Sequence, residues 1–131
     1  MKINWKTFFL IAALYDGLLG LVFFFLYNTL FPLLEITLPN NTSYIHLTAA
    51  FVFVQGVGYW IVFRDPDGNH GIVKLGVIYK SIFAGLAAYY WAIGELLHPI
   101  FGLLGILDVL FLVGFILFLM NPQSQSLPAG R

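Results

Sequence analysis

Four long apolar stretches alternate with short polar breaks along this chain. The stretches cover about residues 7–30, 44–63, 71–93 and 99–120. Each holds roughly 20 residues or more, enough at 1.5 Å rise per residue to cross a hydrocarbon core of about 30 Å. The breaks carry the residues that end helices. Phe31-Pro32 ends or bends the first stretch, and Pro39-Asn40-Asn41-Thr42 signals a turn. Arg64-Asp65-Pro66-Asp67-Gly68-Asn69-His70 forms a second polar turn. Gly94-Glu95-Leu96-Leu97-His98 leads into Pro99, a residue suited to a first helical turn. The pattern predicts an all-α fold, an integral membrane antiparallel four-helix transmembrane bundle. It forms a single domain over residues 1–120, followed by a polar tail, 121–131, expected to be disordered.

Composition strengthens this picture. Of 131 residues, 60% are hydrophobic and only 9% charged. A water-soluble domain has about a quarter of its residues charged, so most of this surface must face lipid. There are no cysteines, which excludes disulfides, thiolate metal sites and cysteine nucleophiles. Net charge is zero and no basic run points to nucleic acid. The opening Met1-Lys2-Ile3-Asn4-Trp5-Lys6 imitates a signal peptide. The apolar run continues too far, contains Asp16 and lacks a small-x-small cleavage site, so an uncleaved first helix is expected.

The basic residues set an orientation. Lys2, Lys6, Arg64, Lys74 and Arg131 fall on one side of a four-span arrangement, and the opposite connections contain no Lys or Arg. By the positive-inside rule both termini are cytoplasmic. A multi-pass protein of the cell (inner or plasma) membrane follows, with the lipid bilayer as its first partner.

Against this apolar background three ionisable groups stand out. Lys80 lies well inside the third stretch, Asp16 inside the first and Asp108 near the middle of the fourth. Gln55 occupies a similar depth in the second. Charged side chains are rare in lipid and point inward. Small residues share their faces: Ala13, Gly17 and Gly20 near Asp16, Gly56 beside Gln55, Gly76 and Ala84 near Lys80, and Gly105 near Asp108. Close helix approach is expected there. Two carboxylates face one ammonium, so either one carboxyl holds a proton, or water or a ligand completes the balance. Tyr15, Tyr59 and Tyr79 neighbour the same level and can donate hydrogen bonds to a quinone or a lipid head group. Tyr44, Tyr89, Tyr90 and Trp91 suit an interfacial belt. The competing reading is a buried ion pair that only fixes helix register.

Other constellations carry less. Glu35, His46, Glu95 and His98 fall at one end, and Glu95-x-x-His98 has the spacing of carboxylate-bridged metal sites in helical bundles. Such a site needs two of these pairs and more carboxylates, so no metal is expected. Asp65-x-Asp67-x-Asn69 opens like a calcium loop but lacks the later glutamate, and a tight turn fits better. Arg64, His70 and Lys74, with the start of the third helix, form a candidate anion or head-group site. No P-loop, dinucleotide, Gly-x-Ser-x-Gly or HExxH motif occurs.

Tyr15-Asp16-Gly17 in helix 1, Arg64-Asp65-Pro66 after helix 2, Lys80 in helix 3 and Asp108 in helix 4 together resemble the DoxX-like group of small four-span bacterial membrane proteins. The resemblance covers about residues 7–120. It implies a four-helix bundle and, for some members, association with quinol oxidase or oxidoreductase complexes. It assigns no catalytic residues, and whether the chain is an enzyme stays open, with the balance toward a non-enzymatic role. Three roles stay open: a redox-accessory protein binding a small molecule, quinone, lipid head group or proton; a structural or assembly subunit of a larger membrane complex; and a proton-coupled carrier acting as a homo-oligomer.

Overall fold

The computed structural model describes residues 3–120. The expected tail 121–131, with Arg131, and Lys2 near the start lie outside the described residues. Within them the chain forms four helices and no strand: α1 (Trp5–Leu33), α2 (Ser43–Arg64), α3 (His70–Ala92) and α4 (Pro99–Met120). All four are long and apolar enough to cross a membrane. Large apolar side chains cover their outward faces, among them Leu18 at 58%, Phe25 at 67% and Leu110 at 62% exposure. A surface that greasy on four faces would drive association in water, whereas lipid solvates it.

Local signals explain the helix ends. Asn4 caps α1, its side chain accepting from the Thr7 N–H at 3.2 Å. The helix continues through Pro32 for one further residue and ends in a Schellman turn. The Ile36 N–H reaches the Phe31 carbonyl and the Glu35 N–H the Pro32 carbonyl. Glu35 takes the left-handed position at φ 58°, a place usually given to glycine. Phe31 and Ile36, joined by the 2.8 Å bond of this turn, are both buried. The same turn closes α3 with a conventional residue. Gly94 stands at φ 75°, and the Glu95 N–H reaches the Tyr90 carbonyl at 2.8 Å.

The connection before α3 is built by Asp65. Its carboxylate accepts from the Gly68 N–H at 3.2 Å, and its carbonyl accepts from the Asn69 side chain at 2.7 Å. His98 starts α4, its Nδ1 accepting from the Ile100 N–H at 3.0 Å. Residues 93–98 are a turn rather than helix. Glu95 and His98 therefore do not share one helical face, and the metal-like spacing loses its geometric meaning.

The chain divides into two compact units at the end of α2. In the first, α1 and α2 touch backbone to backbone at two glycines. A methyl group on Gly56 would lie 2.5 Å from the Gly17 nitrogen, and one on Gly20 would lie 2.6 Å from the Phe53 nitrogen. Only a missing side chain permits that approach. Toward the other end of this unit His46 packs on Phe24 and Tyr27, ring centroids 4.7 and 5.0 Å apart.

In the second unit, positions successively later in α3 meet positions successively earlier in α4. His70 packs on Phe118 and Lys80 meets Asp108. Ala87 faces Gly105, and the Trp91 ring covers Gly102.

Candidate functional site

Lys80 belongs to the buried stripe of α3 with Val73, Gly76 and Ala87. Three-, four- and seven-residue steps keep those positions on one face. On α4, Gly105, Asp108 and Phe115 share the corresponding stripe. The two faces meet, and the Lys80 ammonium donates to Oδ1 of Asp108 at 2.9 Å. Lys80 is wholly buried and Asp108 is 4% exposed. The ammonium also lies 5.2 Å from the Phe111 ring centroid and 5.6 Å from that of Tyr79. Such ring contacts contribute about 0.5–2 kcal/mol each, more as the cation loses water.

Depth makes this pair unusual. Lys80 stands about 15 Å into α3 from His70, and Asp108 about 18 Å into α4 from Met120, at 1.5 Å per residue. Each lies near the middle of a stretch fit to cross a bilayer. A lone ammonium or carboxylate there costs about 3 kcal/mol on insertion scales. Contact between the two removes most of the reason for that cost, because neither charge then faces hydrocarbon alone.

Compared with protein-family models, with curated proteins and with solved structures, the chain has no match.

The first unit holds the remaining members of the expected polar layer. Asp16 is 2% exposed and lies in the buried stripe of α1 with Phe9, Ala12, Ala13 and Gly20. It stands about 16 Å in from Trp5, and Gln55 about 13 Å in from Arg64. Gln55 and Tyr15 are half-buried, while Tyr59, one turn beyond Gln55, is wholly buried. The structure thus joins Lys80, Asp108 and Tyr79 directly, and Asp16 is buried.

The candidate anion residues are dispersed in character. Arg64 and Lys74 are exposed. His70 lays its ring on Phe118 at 4.9 Å, with Nε2 buried and without a hydrogen-bond partner among the described residues. Of the four residues weighed for a metal, Glu35 and Glu95 are exposed turn residues, His46 is stacked on aromatics and His98 caps α4. Among the described residues no group of three or more His, Asp or Glu side chains is gathered for a metal ion.

One participant was not singled out from the sequence. Phe111 follows Asp108 by three positions, so it shares that face of α4, and a cation placed opposite Asp108 must also meet the ring. The signal was the spacing, but a phenylalanine among so many carries no mark of its own.

Proposed function

We propose that this chain is a multi-pass membrane protein of four antiparallel helices with both termini cytoplasmic. In this reading it binds the polar head of a small lipid-soluble molecule at Lys80 and Asp108, as an accessory to membrane redox chemistry. A quinone head suits these groups. Its carbonyl oxygens accept from an ammonium or a phenol, and the Asp108 carboxylate supplies a place for a proton. Tyr79, whose ring lies 5.6 Å from the ammonium, is the neutral donor of this reading. The similarity of Tyr15-Asp16-Gly17, Lys80 and Asp108 to the DoxX-like pattern supports the redox context.

The observation that carries the reading is the complete burial of Lys80 within a helix fit to cross a bilayer. A pair of apolar side chains would hold α3 to α4 at least as well as a buried ion pair does. Intramembrane ionisable residues usually mark ligand or proton paths.

Photolabelling by an azido-quinone, with the full chain in bilayer nanodiscs, tests this. Wild type is labelled near Lys80, and excess unlabelled quinone suppresses the labelling. Asp108→Asn and Lys80→Ala lose it while far-UV circular dichroism shows retained helix. Equal labelling of wild type and of both folded variants would defeat the reading.

One observation favours a second reading. The ammonium touches Asp108 directly and lies near a ring on each helix, Tyr79 at 5.6 Å and Phe111 at 5.2 Å, as a pin between α3 and α4 would. The chain would then be a structural subunit of a larger membrane complex. In that case Lys80→Met/Asp108→Leu keeps both assembly and function, and no quinone binds.

A further inference from the structure

A recess is lined entirely by residues of the α3–α4 unit, on the side of Lys80 toward the end of α3. Its volume is about 380 Å³, and its wall is almost entirely carbon. Phe83, Leu86, Ala87 and Tyr90 form one side, at helical spacing along α3, and Phe101 of α4 faces them. The α3 wall runs for about 10 Å at 1.5 Å per residue. Glu95 stands in the lining at the end where α3 turns over. Its backbone is fixed there by the Schellman turn, with its N–H on the Tyr90 carbonyl.

Two independent features define what fits. Tyr89, Tyr90 and Trp91 are exposed at this end of α3, an aromatic cluster of the kind that sits at head-group level. The recess therefore opens near the membrane surface and runs inward along the hydrocarbon. Charge supplies the second feature. Residues 93–98 contain one carboxylate and no Lys or Arg.

We propose that this groove holds one acyl chain of a phospholipid whose head group carries a primary ammonium, with that ammonium against Glu95. The tail adds little preference of its own, because it leaves hydrocarbon to enter a hydrocarbon-lined groove. Discrimination lies at the mouth. A carboxylate attracts an ammonium and repels a head group of net negative charge. The inference needs only membrane-spanning α3 and α4, so its failure would leave the reading of Lys80 untouched.

The test uses the full chain in nanodiscs containing equal phosphatidylethanolamine and phosphatidylglycerol. Native mass spectrometry reads the retained lipid, and a phosphatidylethanolamine with a diazirine in its acyl chain maps its place. Retained phosphatidylethanolamine should exceed phosphatidylglycerol by roughly two- to fivefold, the range of one exposed charge pair. Glu95→Gln should bring that ratio to about one. Crosslinks should concentrate on Phe83, Tyr90 and Phe101, and Leu86→Trp, which crowds the groove from its exposed rim, should reduce them. Three results would overturn the proposal: crosslinks spread evenly to outward residues such as Leu75 and Leu110, a lipid ratio unmoved by Glu95→Gln, or a second copy of the chain crosslinked into the groove.

Discussion

Gly56→Ala is the sharpest probe of the first helix pair. The added methyl would lie 2.5 Å from the Gly17 nitrogen, 2.7 Å from its Cα and 3.0 Å from the Ala13 carbonyl oxygen. All three are backbone atoms of α1, so no side chain can turn aside. Ordinary contact begins near 3.4 Å, and α2 must retreat by about 1 Å, which forfeits a quarter to a half of the attraction at each contact along the crossing. Overpacking of this kind costs about 1–3 kcal/mol. Alanine returns about 1 kcal/mol of helix propensity, so the net effect is a loss of about 1 kcal/mol. Gly17→Ala is the control. It makes the same chemical change in the same unit, but its methyl would meet nothing within 4 Å. That variant should gain up to about 1 kcal/mol. Reversible unfolding in mixed detergent micelles, followed by circular dichroism, reads both. Two identical substitutions should thus differ in sign, about 2 kcal/mol apart. Equal effects would show that α1 and α2 do not meet at Gly56.

Two further substitutions test other contacts. Lys80→Met and Asp108→Leu should each cost about 3–5 kcal/mol by leaving the other charge buried, while the double variant should cost far less than their sum. Simple additivity in the same unfolding assay would mean that the two side chains do not interact. Glu35→Gly should stabilise the chain by up to about 1 kcal/mol, since a side chain at positive φ is strained where glycine is not. A loss of stability would show that the Glu35 side chain makes contacts worth more than its backbone strain.

The four spans were legible because lipid imposes a blunt rule: about 20 apolar residues, then a break. The Lys80–Asp108 pair was foreshadowed for the same reason, since a charge at that depth needs a partner and few were on offer. The crossing at Gly56 followed from a small residue beside a polar one. What escaped notice was local backbone chemistry. Nothing in Leu34-Glu35-Ile36 announces a left-handed residue, because glycine, the usual marker, is missing. The turn is instead set by two bonds and by the burial of Phe31 and Ile36. Glu95-x-x-His98 reads as part of a connection, and the chain does turn between the two residues, where the imidazole serves the start of α4. Pro32 reads as an end or a bend, and the helix carries it in its last turn and stops one residue later, at Leu33.

Magnetic-resonance distance measurement addresses the central claim most directly. With ¹⁵N at Lys80 Nζ and ¹³C at Asp108 Cγ, dipolar recoupling on the chain in lipid bilayers reports whether ammonium and carboxylate touch. The account requires strong coupling, matching the 2.9 Å contact between Nζ and Oδ1, and an ammonium shielded from exchange with bulk water. Weak coupling, with the ammonium more than about 3.5 Å from either carboxylate oxygen and in free exchange with water, would contradict it.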